Sequence, residues 1–223
     1  MFYLCFIKFF YGDFMKCQLK YNAGRTHNDW VKIIPFTADD SKKKLTIFYS
    51  VQKTPLGRFF IANTQKGICF VGVYKSKKEL LIELSHRFPN AALLPKIHNR
   101  QLQFVEFLTK DWEYVKPIAL HLKGTDFQLK VWNALLQIPL GKITTYRNIA
   151  ELVGKNRAYR AVGSAVGRNP ILFLIPCHRV MTITGKLGGF YWGIDVKIKL
   201  LNVETVGRNK KIVGFKNWNP TIF

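Results

Sequence analysis

The stretch Ile171-Leu172-Phe173-Leu174-Ile175-Pro176-Cys177-His178-Arg179-Val180 puts a thiol beside an imidazole, directly after an apolar run. A thiol attacks as its thiolate, and a free one is mostly protonated at neutral pH. An imidazole and a positive setting are what it needs to become a nucleophile. Cys177 and His178 are therefore the first candidates for chemistry in this chain.

Upstream, Thr125 and Gln128 have capping-box spacing, in which each side chain satisfies a backbone donor of a helix's first turn. Phe127, Val131, Ala134 and Leu135 then fall on one helical face, which Pro139 and Gly141 end. Thr145 is placed to cap a second helix with Tyr146, Ile149, Ala150 and Val153 on one face and Gly154 as its stop. A third helix is predicted from Ala158 to Val166, with Arg160 among the small residues Ala161, Gly163, Ser164 and Ala165. Two short helices with a tight turn between them, the second basic and small-faced, fit a helix-turn-helix. Small residues let a backbone approach another surface closely. Tight packing against a neighbouring helix fits the same spacing equally well.

The first half reads as strands and two helices. Leu45–Tyr49, Arg58–Ala62 and Ile68–Val73 are β-rich, with turns at Thr54–Gly57 and Gln65–Gly67, so a hairpin is expected. Leu80, Leu81 and Leu84 mark a short helix that Pro89 ends, and Leu102, Val105, Leu108 and Trp112 mark another. The stretch from Val115 to Lys123 reads as the join to the second half.

Composition narrows the class. The chain has 223 residues, 48% of them hydrophobic, so it can bury a core and a folded protein is expected. Its formal net charge is +22, and from Gly124 onward fifteen Lys/Arg face four acids, Asp126, Glu151, Asp195 and Glu204. Such an excess points to a polyanion, most often nucleic acid, although a lysine-rich composition bias gives the same count. The four cysteines, Cys5, Cys17, Cys69 and Cys177, are widely spaced, which excludes a secreted disulfide framework and implies a reducing compartment. A zinc ion on Cys5, Cys17 and His27 would need spacing unlike a zinc finger's, so no metal is expected. Residues 1–14 are apolar and aromatic but too short to span a bilayer. They are either an edge strand or lie ahead of a true start at Met15.

Pro176-Cys177-His178-Arg179-Val180 resembles the acceptor motif of the O6-alkylguanine-DNA alkyltransferases. Gly124-Thr125-x-Phe127-Gln128-x-x-Val131-Trp132, Ile138-Pro139-x-Gly141, Tyr146-x-x-Ile149-Ala150, Arg160-Ala161-Val162-Gly163, Asn169-Pro170 and Gly185-x-Leu187-Gly188-Gly189 follow the same family in order, completed by Lys197 and Leu200-Leu201-x-x-Glu204. The resemblance covers about residues 120 to 205, and more weakly 45 to 115 through Pro55-Leu56-Gly57 and Gly67-Ile68. It implies an α+β fold: a small ribonuclease H-like domain over 45–117 and a mainly helical DNA-binding domain with the helix-turn-helix over 118–207. Residues 1–44 are then an extension of open status and 208–223 a basic tail.

The resemblance also implies roles. Cys177 would accept the alkyl group, His178 would take its proton through a water, and Glu204 would orient the imidazole. A glutamate late in a helix is otherwise a solvated one. Tyr146 would push on the target phosphate and protonate the departing guanine, and Arg160 would fill the gap left by the extruded base. Ala161, Gly163, Ser164 and Arg168 would contact DNA with Arg160 and Tyr146, the helix entering the minor groove. Asn169 would tie this helix to the active-site strand. No cofactor is implied, because the damaged base carries the alkyl group. The implied partner is double-stranded DNA with alkylated guanine, O4-alkylthymine being a second substrate. The expected state is a monomer with no membrane association, in the cytoplasm of a prokaryote or the nucleus of a eukaryote.

The substrate loop departs from the family. Phe190 stands where members often have tyrosine, and Trp192 where many have glycine, with Tyr191 between them. Trp192 either walls off the pocket, stacks on the alkyl group or lies exposed. Were the loop to spoil the pocket, the chain would be a non-catalytic sensor of alkylation damage. A cysteine hydrolase is the rival of another class, but a distant base and an acyl-binding loop have no candidates.

Overall fold

The computed structural model describes residues 26–42, 44–109 and 116–205. Cα packing divides the chain into two compact units. One spans Trp30–Leu129 with Pro170–Leu172; the other takes the residues up to Asp29, Lys130–Asn169 and those from Phe173 on. The expected strand or late start in residues 1–14, Cys5, Cys17, Trp112 and the 208–223 tail lie outside the described residues.

The first unit is built on a six-stranded mixed sheet. Its strands are β1 (Val31–Pro35), β2 (Thr46–Thr54), β3 (Gly57–Asn63), β4 (Ile68–Val73), β5 (Ala92–Leu94) and β6 (Ile118–Leu122), in the order β1-β6-β4-β3-β2-β5. The expected hairpin is β2–β3, paired from Phe48 with Asn63 to Thr54 with Gly57, and Gly57 supplies the positive φ of +129° that its turn requires. Phe59 to Ala62 are all buried, as a central strand covered on both faces demands. Helices Lys77–Arg87 and Asn99–Thr109 bury Leu80 and Leu84, and Phe104, Phe107 and Leu108.

Three expectations need correction here. The face of the second helix is rotated: Leu102 is 41% exposed, and Gln101, Phe104, Phe107 and Leu108 point inward. Burying two phenylalanines outweighs burying one leucine, and Phe104 meets Phe59 edge-on at 5.4 Å. The stretch read as a join contains β6, which pairs in parallel with both β1 and β4. Pro117 and the flanking lysines disguised a strand whose Ile118, Leu120 and Leu122 are buried. Both β1 and β6 lie outside residues 45–117. The third is the active-site strand that the resemblance implied next to Asn169, where the apolar run Ile171–Ile175 leads into Cys177. These residues form no continuous strand: Ile171 makes a single bridge to Val71, and Phe173 then adopts φ 73°. A left-handed residue ends a β ladder.

The second unit is mainly helical. The helix Asp126–Leu136 carries the expected capping box, with Thr125 N donating to Gln128 Oε1 (3.0 Å) and Gln128 N to Thr125 Oγ1 (3.2 Å). From Lys130 on it belongs to this unit, where Val131, Trp132, Ala134 and Leu135 are buried. Thr145 caps Tyr146–Leu152 by accepting from Asn148 N at 3.2 Å, and Gly154, at φ 69°, follows its end. Helix Tyr159–Gly167 comes next. The short strands β7 (Thr144–Thr145) and β8 (Val180–Met181) pair in parallel, and helix Ile194–Thr205 ends the described chain. Among the described residues no helix is long and apolar enough to cross a membrane.

Candidate active site

The site lies within the second unit. Cys177 opens a 3-10 turn that runs to Arg179, directly after Pro176, and is 5% exposed. Burial pushes its thiol up to about 11. The hydrogen bond from the Asn169 side chain and the nearby Lys197 ammonium work against that shift. Asn169 is itself buried and donates Nδ2–H to Ile175 O at 3.0 Å. It thereby joins the end of helix Tyr159–Gly167 to the segment that carries Cys177.

His178 is fully buried. Its Nε2 lies 2.7 Å from Glu204 Oε1, which reaches it from helix Ile194–Thr205. An ionised carboxylate only accepts, so the His178 proton is on Nε2 and Nδ1 presents its lone pair. Nδ1 is buried with no hydrogen-bond partner among the described residues. Burial lowers the basicity of His178, Glu204 raises it, and Arg179 and Lys197 lower it again. Arg179 clamps the same carboxylate with two bonds, Nε to Oε2 at 2.9 Å and Nη2 to Oε1 at 2.8 Å. Burial alone would raise the Glu204 carboxyl, but Arg179 and His178 hold it well below the usual range. The result is a buried thiol beside an oriented imidazole and a pinned carboxylate.

A cavity of about 30 Å³ opens beside the thiol, lined among others by Tyr146, Asn169, Cys177, Phe190, Tyr191 and Trp192. Tyr146 is half-buried and its phenol is pushed up, first by burial and then by Cys177. Gly188, at φ 69°, lies against it: a Cβ there would come within 3.2 Å of the Tyr146 hydroxyl. Trp192 is 6% exposed and Tyr191 is 56% exposed, so the indole is a wall of the cavity and not a loose surface ring. Phe190 packs toward the Lys197 ammonium, 5.8 Å from the ring centre.

Helix Tyr159–Gly167 is held from inside by Val162, Ala165 and Val166 and by Trp132 Nε1, which donates to Ala165 O at 2.9 Å. Its outer side presents Arg160, Ala161, Ser164 and, just beyond, Arg168, all exposed. Among the described residues, a Cβ on Gly163 would meet only the Tyr146 ring, at 3.8 Å, and one on Gly167 nothing. Packing within the chain therefore does not require glycine at either place.

The inducible methylated-DNA–protein-cysteine methyltransferase of Bacillus subtilis is 38% identical over 166 residues, which are 72% of this chain and 92% of that protein. The chain belongs to the methylated-DNA–protein-cysteine methyltransferase family. The family model for the 6-O-methylguanine DNA methyltransferase DNA-binding domain matches residues 126–206, the span that holds the site. A methyltransferase of the same name from Methanosarcina barkeri is 40% identical over 71% of this chain and 97% of its own length. The crystal structure of Mycobacterium tuberculosis OGT in complex with DNA superposes with a TM-score of 0.56 at 32% identity, covering 70% of this chain and 92% of that one. The mixed α/β fold, a sheet with several helices, is thus one that the family shares.

Sequence reasoning missed the surroundings of this site. Arg179 stood in the quoted motif without a role, yet it holds Glu204. An acid-poor half that buries an arginine had to spend one of its few acids on it, and that was the available signal. Lys197 is fully buried, donating to Val180 O (2.6 Å) and Leu187 O (2.5 Å), and burial brings its ammonium down to about 8. His27, considered only as a zinc ligand, has both ring nitrogens engaged, by Leu174 O and Arg179 Nη2, and no lone pair left for a metal.

Proposed function

We propose that the protein repairs DNA by single-use transfer of a methyl or other alkyl group from O6 of guanine to Cys177. The observation that carries this reading is the buried Cys177 next to an imidazole that Glu204 fixes at 2.7 Å. Family membership supplies the reaction class.

The thiol proton passes through a water to Nδ1 of His178, and the imidazolium is stabilised by Glu204. Sulfur attacks the alkyl carbon, the carbon–O6 bond breaks with its electrons going to guanine, and Tyr146 protonates the departing base. Solvent exchange through His178 returns a proton to Tyr146, so the thiol hydrogen is in effect traded for the alkyl group. The thioether is stable and nothing regenerates the thiol.

A cavity of about 30 Å³ holds roughly one water. An extruded guanine enters only if the Phe190–Trp192 loop swings aside, and Gly189 and Gly193 flank that loop. Helices Tyr146–Leu152 and Tyr159–Gly167 act as a helix-turn-helix, with Arg160, Ala161, Gly163, Ser164, Arg168 and Tyr146 facing the minor groove. The glycines that internal packing does not need favour close approach to DNA over helix–helix contact. Asn169 couples that helix to the Cys177 segment. The helical unit, which takes up the chain from Lys130, is the DNA-binding domain, and the sheet unit, which includes β6, is ribonuclease H-like. The substrate is duplex DNA with alkylated guanine, and O4-alkylthymine offers the same leaving oxygen. The protein acts as a monomer, because one chain carries nucleophile, base and helix. It works where the DNA is, in prokaryotic cytoplasm or a eukaryotic nucleus.

The test is mass measurement after incubation with duplex DNA carrying O6-methylguanine. Wild-type protein gains one methyl group, on Cys177, and no more. Cys177→Ser binds the duplex and gains nothing. A methyl on another cysteine, repeated turnover, or binding by wild-type protein without mass gain would overturn the proposal, the last outcome favouring a damage sensor.

A further inference from the structure

One buried histidine next to the site has no part in the steps above. His27, on the short 3-10 turn His27–Asp29, is fully buried. Nδ1 lies 2.8 Å from Leu174 O, which can only accept, so Nδ1 carries the proton. Nε2 lies 3.2 Å from Arg179 Nη2, which can only donate, so Nε2 accepts. The two contacts leave one tautomer. The same Nη2 also donates to Glu204 Oε1, the atom that receives the His178 proton. Arg179 Nη1 is taken by Ile138 O at 2.5 Å. Three hydrogen bonds thus lead from His27 to His178. The Phe173 ring, set by its left-handed backbone, lies parallel to the His178 imidazole within 6°, with centroids 6.1 Å apart.

We propose that His27 is a positioning residue for alkyl transfer: it accepts the second Nη2 hydrogen of Arg179, holds the guanidinium in the plane that pins Glu204, and so sets the orientation and basicity of His178. The inference rests on the reading of Cys177, His178 and Glu204 as the transfer machinery.

An imidazole is a poor filler for a core, since a buried polar ring costs free energy unless both nitrogens are satisfied. Here both are, by groups that demand opposite roles. Burial, with Arg179 next, brings His27 down to about 3, so it remains neutral and accepting throughout the physiological range. Arg179, Glu204 and His178 are the charged and titratable groups that act on it. Glu204, Arg179 and Lys197 act on His178, with Cys177 adjacent in the chain.

The decisive pair is His27→Gln and His27→Met, two side chains of similar length. The amide can accept from Arg179 and donate to Leu174 O, and the thioether can do neither well. The full chain is assayed for single-turnover methyl transfer from duplex O6-methylguanine across pH, for duplex affinity, and for the His178 titration by ¹⁵N NMR. The Met variant should transfer about tenfold more slowly at neutral pH, because a displaced base costs rate steeply, while its duplex affinity is unchanged. Water reaching the Arg179 side relieves the burial of His178 and screens Arg179. The His178 titration and the acid limb of the rate profile should therefore move up by roughly half a pH unit. The Gln variant should stay within a few-fold of wild type, with its titration in place. A folded Met variant with wild-type rate and profile overturns the proposal, and so does a Gln variant as slow as Met. If the Met variant does not fold, the Gln variant decides: an undisplaced His178 titration supports the role and a displaced one refutes it. Wild-type protein that takes no methyl sinks the functional reading instead, and the NMR titration still tests His27.

Discussion

Cys177 is held as a thiol, because burial raises it to about 11. In the transfer proposed above its reactivity depends on a base that takes the proton in the same event, and Nδ1 of His178 is the lone pair proposed for it. Trp192 lines the cavity beside that thiol. The indole is 6% exposed and stands at 88° to Tyr191 with centroids 4.9 Å apart, so it cannot be compressed in place. A methyl group needs little room beyond the guanine. A benzyl group needs a flat space beside the sulfur, and crowding of this kind costs about 1–3 kcal/mol. Trp192→Gly should therefore speed reaction with free O6-benzylguanine by roughly ten- to a hundredfold. The methyl rate on DNA should stay within a few-fold. Rapid-quench rates for the two substrates give the answer: if the glycine variant loses benzyl reactivity, the indole stacks on the ring and does not exclude it.

At the scale of elements, the important relation is between helix Tyr159–Gly167 and the turn Cys177–Arg179. Asn169 leaves the first and bonds Ile175 O just before the second, so a single buried side chain ties the exposed helix to the Cys177 segment. Arg160 is exposed on that face with no role in the core. Removing a stacked base from a duplex costs a few kcal/mol, and a side chain that fills the gap offsets part of it. Arg160→Ala should slow repair of O6-methylguanine in duplex DNA by about tenfold or more, and reaction with a free alkylated base hardly at all. Equal losses on both substrates would rule out the gap-filling role. The helix itself was readable from its small residues and turn. Which of its glycines internal packing leaves free was not, because that depends on how far Tyr146 stands from Gly163.

For the whole molecule, three buried groups of the helical unit, His27, His178 and Glu204, are all shifted down on folding. His27 titrates near 6.5 in an unfolded chain and near 3 in the folded one. Above pH 6.5 neither state holds the proton and the full stability is present. As pH falls below that, only the unfolded chain takes the proton up, and stability drops by about 1.4 kcal/mol per pH unit until the folded site titrates too. His178 is depressed in the same sense, and Glu204 adds its own loss once the pH passes below about 4.5. Urea unfolding should therefore be nearly constant from pH 8 to 7 and weaken steeply from pH 6 to 4. His27→Gln should flatten that slope by about one proton. A wild-type curve flat down to pH 4 would show that these histidines are not buried neutral. In the sheet unit Asp40 belongs to the same account: it accepts from Lys66 Nζ at 2.6 Å and faces His121 Nε2 at 3.3 Å.

The sequence alone determined the thiol–imidazole neighbours, the capped helices and the β2–β3 hairpin. Each is a matter of residues close together in the chain: a thiol beside an imidazole, Thr125 with Gln128, Thr145 with Asn148, Gly57 in a turn. The family motifs carried Glu204 as well, across 26 residues. Only the tertiary structure decided what surrounds them. The β6 strand is one because β1 and β4 lie on either side of it, and Pro117 hid it from a local reading. Trp192 is a wall because the loop folds it inward. Arg179 and His27 meet across 152 positions, and neither has a local pattern that names the other. A buried hydrogen bond fixes its partners by geometry and by the cost of leaving them unpaired, and that cost exists only once the chain has folded around them.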